Sequence, residues 1–390
     1  MKGDNIMGWN DINLGEAQRR IEDVGRAVGN AVDGLVDNTV DDIGYILGQA
    51  GDCLQNLDNI RVRVMNRAAE YHTAIMRIIV DAGIIPADLI EAVWELISGD
   101  LAADPNPRLF KIIEPEKLVY SGTSVKETDF KEVNPNDPLE VGRRPYVFIH
   151  GKNYGSGCLE AFEFYKDFEK NIQWFKNGKD YSNVDFYLVS YDTRMTDENM
   201  TLIRKAISAI TGGLVTGTGM LFFWAVMWRE LERRAQITGD YILPLLQKMN
   251  DADVYGRIIS HSLGCFTAAH MSSRYIDERR GDRPPVFNWL CLAPAIPANA
   301  FTNTGMFENA PRVAVGPDGP GYGTSVFYSY GDLVLFGLYG LLANYHTAMG
   351  NIGALESKHP LNNIDVTHLV RDAHLGYDYW SRIKPELHPL

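Results

Sequence analysis

The residue types that could do chemistry in this chain are a serine, an aspartate and a histidine, in that order: Ser262, Asp332 and His374. Ser262 sits in Arg257-Ile258-Ile259-Ser260-His261-Ser262-Leu263-Gly264-Cys265, which reads as a strand driving into a small-residue turn that projects one hydroxyl. An ordinary strand-to-helix turn with a capping serine would look much the same, so the stretch gains meaning only beside its partners. Acyl transfer through serine needs a base to take its proton, a carboxylate to orient that base, and amide donors for the developing oxyanion. His374, in Ala373-His374-Leu375-Gly376, supplies the base and Asp332, after Thr324 to Tyr330, the acid. The backbone amide of Leu263 supplies one oxyanion donor. The Lys152 amide, after His150-Gly151, supplies the second. His368 competes as base and Asp365 and Asp372 as acid; His346 and His359 read as surface or packing residues. His261, beside the nucleophile, reads as core or as a support behind the site.

The elements that must position these groups are legible in outline. Leu109 to Leu118, Tyr146 to Ile149, Val184 to Ser190, Tyr255 to Ser260, Val286 to Leu292 and Thr324 to Tyr330 are short β-rich runs separated by helical patterns, and Ile364 to Thr367 reads as a last strand. Such alternation predicts an α/β fold with a mainly parallel sheet and helices on both faces. Sites in these sheets lie at the carboxyl ends of the strands. His150-Gly151-Lys152-Asn153, the serine turn, Gly331-Asp332 and the His374 loop all fall at that one end. The polar, proline-bearing stretch Ala103 to Pro107 marks a boundary between a helical N-terminal region, residues 1–103, and an α/β domain, 104–390.

On these residues the chain resembles the α/β-hydrolase superfamily over roughly residues 108 to 390. The resemblance is carried by the His150-Gly151 turn after a strand, the Ser260-to-Gly264 elbow and the Ser, Asp, His order. Phe148-Ile149-His150-Gly151, His261-Ser262-Leu263-Gly264 and Leu292-Ala293-Pro294-Ala295 look most like lipases and related carboxyl-ester hydrolases. The resemblance implies the α/β-hydrolase fold and a serine esterase that works without metal or organic cofactor. One departure stands out: Ser260 occupies the position where the usual elbow has glycine.

Composition narrows the partners. The 390 residues are 45% hydrophobic and 22% charged, the profile of a globular protein. A formal net charge of −13 argues against nucleic acid, because an acidic surface repels phosphate backbones. Cys53, Cys158, Cys265 and Cys291 show neither metal-ligand spacing nor a disulfide framework. No signal-peptide pattern opens the chain, which leaves a cytoplasmic protein or one exported by a specialised route.

An apolar insertion at about 195–235 carries Ala206 to Trp228 without a charged residue, flanked by Arg204, Lys205, Arg229, Arg233 and Arg234. The length of this uncharged run, about 23 residues, could span a bilayer core of roughly 30 Å. A buried helix, a lipid-facing lid and a spanning helix all fit that pattern. The lid reading predicts acyl esters of lipids as substrates and contact with a membrane surface through 206–228. Apolar residues at helical spacing in the N-terminal region, with Gly25/Gly29 and Gly44/Gly48 pairs, suit helix packing or a protein partner. In outline the chain looks similar to lipase-type toxins exported by specialised secretion systems. The alternatives are a thioesterase or acyltransferase, which share the acyl-enzyme, and a non-catalytic protein that uses the same scaffold for binding or assembly.

Overall fold

The computed structural model describes residues 105–115, 118, 124–152, 154–172, 183–194, 201, 217–279, 283–315, 323–332, 334–335, 339 and 347–383. The helical reading of 1–103 and the first part of the apolar run, 206–216, lie outside the described residues. The chain divides into two compact units. One comprises Leu101–Thr196 with Trp228–Leu390 and carries the sheet; the other comprises Met1–Asp100 with Asp197–Met227, of which residues 201 and 217–227 are described.

The sheet has eight strands in the order β2-β1-β4-β3-β5-β6-β7-β8. They are β1 (Arg108–Ile112), β2 (Phe130–Val133), β3 (Arg144–Ile149), β4 (Val184–Ser190), β5 (Gly256–His261), β6 (Val286–Leu292), β7 (Gly323–Tyr328) and β8 (Asn362–Asp365). From β4 to β8 every neighbouring pair is parallel, whereas β1 runs antiparallel to both β4 and β2. The fold is therefore α/β with a mostly parallel sheet. The run expected over Leu109 to Leu118 yields a strand only to Ile112, and β2 had no apolar signal because its Lys131 and Glu132 are exposed on an edge. Lys111 and Arg143 converge on the buried Asp185 carboxylate at 2.9 and 2.5 Å and tie β1 to the starts of β3 and β4.

The α-helices among the described residues are α1 (Cys158–Ile172), α2 (Gly217–Asp251), α3 (Leu263–Glu278), α4 (Met349–Ile352), α5 (Thr367–Val370) and α6 (Gly376–Arg382). Strand alternation sorts the side chains between two faces. Phe148 of β3 meets Tyr165 and Phe168 of α1 in edge-to-face contacts, each with centroids 5.1 Å apart, and Trp380 of α6 packs on Phe168 at 4.6 Å. Such aromatic pairs contribute about 0.5–1.5 kcal/mol each beyond the area they bury. On the opposite face Trp289 of β6 is wholly buried with Phe301, and α3 lies behind β5. The apolar run is not a separate hairpin where it is described: from Gly217 it continues without a break into the helix that leads to β5. Among the described residues no helix is long and apolar enough to cross a membrane.

Candidate active site

The turn that carries Ser262 is set by β5. The strand ends at His261, and Ser262 adopts φ 52° and ψ −121°, a left-handed conformation that a non-glycine residue holds only under constraint. The constraint is visible on both sides. The Ser262 amide donates to the Leu292 carbonyl at 3.0 Å, and its carbonyl accepts from Cys265 and Ala295 at 3.0 and 3.2 Å. α3 starts at Leu263, so the amide of that first helical residue has no acceptor within the helix. A side chain at Gly264 would collide with the carbonyl oxygens of Ile149 and His150, so this close seat of α3 against the end of β3 requires glycine.

Around that serine the structure brings together three groups that the chain spreads over more than a hundred residues. His374 Nε2 lies 2.9 Å from Ser262 Oγ, and His374 Nδ1 lies 2.7 Å from Asp332 Oδ2. A carboxylate oxygen can only accept, so Nδ1 carries the proton and Nε2 is left as the acceptor for the serine hydroxyl. Asp332 is fully buried after β7. Its second oxygen, Oδ1, accepts from the amides of Val334 and Leu335 at 3.1 and 3.0 Å. Asn351 of α4 donates to its backbone carbonyl at 3.2 Å. The loop leading to His374 is held by Ser329, whose hydroxyl donates to the Arg371 carbonyl at 2.6 Å, and Arg371 itself has φ 61°.

The turn after β3 approaches Ser262 closely. A β-carbon on Gly151 would stand 2.9 Å from that of Ser262, so only glycine leaves room there for the backbone. His150 braces this turn from behind. Burial pushes its imidazole down to about 4, so it is neutral, with Nδ1 2.9 Å from the Gly151 carbonyl and Nε2 3.4 Å from the Tyr191 amide. Those partners assign the proton to Nδ1. The ring stacks on Tyr191 with centroids 4.7 Å apart, and Thr193 exchanges hydrogen bonds with the Tyr154 backbone. Lys152 follows on the same turn, half-buried, with its ammonium held below the usual lysine range by desolvation. Asn153 lies outside the described residues.

The other candidates stand elsewhere. His368 is exposed on α5, Asp372 is exposed, and Asp365 Oδ1 caps the Thr367 amide at 2.8 Å. His359 meets Asn309 at 3.2 Å, and His346 lies outside the described residues. Cys158, Cys265 and Cys291 are buried free thiols. No group of His, Cys, Asp or Glu side chains with metal-binding geometry occurs among the described residues.

Three supporting residues escaped the sequence reading. Tyr191 and Thr193, which brace the turn at residues 150–154, offered no motif. Ser260 looked only like a tolerated replacement for glycine, yet it is fully buried and its Oγ accepts from the Trp289 indole at 2.9 Å while lying 3.2 Å from the Leu290 carbonyl. Ser260→Gly should therefore weaken the protein. It strands a buried indole N–H, at about 1–3 kcal/mol, and adds strand flexibility worth about 0.5–1 kcal/mol. Urea unfolding checks this: a variant as stable as the parent would show that the serine merely fits.

No family model matches this chain, and no curated protein shows significant similarity to it.

Proposed function

We propose that this protein is a serine hydrolase of the α/β-hydrolase type that cleaves carboxylic esters, with acyl esters of lipids as its substrates. The observation that carries the reading is the continuous relay from Ser262 Oγ through His374 to the buried Asp332 carboxylate, at 2.9 and 2.7 Å, on a serine held at φ 52°. Ser262 attacks the ester carbonyl carbon while its proton passes to His374 Nε2. The oxyanion takes hydrogen bonds from the Leu263 and Lys152 amides. Collapse breaks the acyl–oxygen bond, and the leaving alkoxide takes the proton from His374. Water, deprotonated by the same imidazole, then attacks the acyl-enzyme and releases the acid, returning the proton to Ser262.

The lipid preference is supported by exposed apolar side chains that neighbour His374 and Asp332 in sequence. Leu375, beside the base, is 68% exposed, Tyr377 45%, and Val334, two residues past the acid, 41%. Exposed apolar side chains on those two loops suit an acyl chain better than a polar acid.

A fluorophosphonate probe tests the assignment, because it reacts only with an activated serine. Wild-type protein should label, and Ser262→Ala and His374→Ala should not. Labelling that survives in Ser262→Ala, or fails in the folded wild type, counts against a Ser262 hydrolase. A series of p-nitrophenyl esters then reads chain length, with kcat/KM expected to rise from acetyl to medium and long acyl groups.

A further inference from the structure

His261 ends β5 beside the nucleophile, and strand alternation turns its side chain away from the Ser260 and Trp289 face toward α1 and α6. The ring is buried. It lies 5.9 Å from Phe164 of α1, 6.3 Å from Tyr379 of α6 and 5.1 Å from the ring of His374. Its Nε2 stands 2.7 Å from the backbone carbonyl of His374. Its other edge faces the turn after β3, where a β-carbon on Gly151 would come 3.1 Å from Nδ1. One imidazole thus contacts the two loops whose separation decides whether base and oxyanion donors can serve the same carbonyl group.

We infer that His261 is a positioning residue, whose Nε2–H donates to the His374 carbonyl and sets the reach of the base toward Ser262. The inference rests on the reading of Ser262 and His374 as nucleophile and base. The tautomer follows from the partner, since a carbonyl oxygen only accepts. Neutrality matters as much as position. Burial, and after it the neighbouring His374 ring, pushes the His261 imidazole down to about 3, so it stays uncharged where the base works. A cation 5.1 Å away would oppose the imidazolium that His374 must become. His261 therefore supplies a fixed donor without that penalty. His150 performs the matching task on the other loop, where its proton sits on Nδ1 and faces Gly151.

Two substitutions separate the donor from the ring. His261→Gln places an amide N–H at the same number of bonds from the backbone as Nε2; His261→Phe keeps the ring against Phe164 and Tyr379 but donates nothing. A loop displaced by a fraction of an ångström costs about 10- to 100-fold in rate. His261→Phe should lose about that factor in kcat and in the rate of fluorophosphonate labelling, with KM within about twofold, because His261 does not touch substrate. His261→Gln should recover most of it. Recovery in the Phe variant and loss in the Gln variant would assign the residue to packing and overturn the inference. Nitrogen NMR of the wild-type imidazoles supplies a readout that needs neither variant to fold nor the protein to turn over. The expected signal is an Nε2–H tautomer for His261 that does not titrate between pH 5 and 8. An Nδ1–H tautomer, or titration in that range, overturns the inference even if Ser262 labels normally, whereas absent labelling with the expected tautomer counts against the hydrolase reading alone.

Discussion

Asp332→Asn is expected to lower kcat/KM by about 10⁴-fold while the protein stays folded. The environment dictates how the asparagine amide must lie. Asp332 Oδ1 accepts two backbone N–H groups, from Val334 and Leu335, so the single oxygen of asparagine belongs there. Its NH2 is then forced toward His374 Nδ1, 2.7 Å away in the present structure. A donor facing Nδ1 makes that nitrogen the acceptor and moves the imidazole proton to Nε2, where it blocks uptake of the Ser262 proton. Steady-state kinetics beside thermal melting test this. A variant that keeps most of its activity would transfer the acid to another carboxylate, although Asp365 and Asp372 are both exposed and Asp365 Oδ1 is committed to the Thr367 amide.

The second large effect is structural. Gly264→Ala puts a β-carbon onto the carbonyl oxygens of Ile149 and His150, and within 2.9 Å of the Ile149 carbonyl carbon. All three atoms are backbone, so no side chain can swing aside. Either α3 lifts from the end of β3 or the turn after β3 is pushed out, at about 3 kcal/mol for overpacking of this kind. Both movements also separate the Leu263 and Lys152 amides, so the surviving folded protein should label slowly with fluorophosphonate. Gly157→Ala is the control, because a β-carbon there meets nothing within 4 Å. Equal urea midpoints for the two variants would mean that α3 and β3 are not seated as tightly as described.

The sequence by itself determined a good deal. The apolar, β-branched and aromatic runs of β4 and β6 marked those strands at their observed ends, because both are buried almost throughout and tolerate few polar residues. Chain order placed Ser262, Asp332 and His374 after separate strands, and a parallel sheet brings such positions to one edge. The antiparallel pairing of β1 was illegible, since direction depends on which partner a strand meets and not on its own residues. β2, on one edge, carries polar residues that gave no strand signal, whereas β8, on the other, was expected over Ile364 to Thr367 but runs over Asn362–Asp365, because Thr367 opens α5. At the site, residue types offered a candidate nucleophile, base and acid, but not what holds them. The proton on His374, the bond from Ser260 to Trp289 and the reach of His261 to a carbonyl 113 positions away each depend on a partner contributed by another strand or loop. Only packing chooses such partners, because a hydrogen bond or a tautomer is set by the atom across the gap, and that atom is distant in the chain.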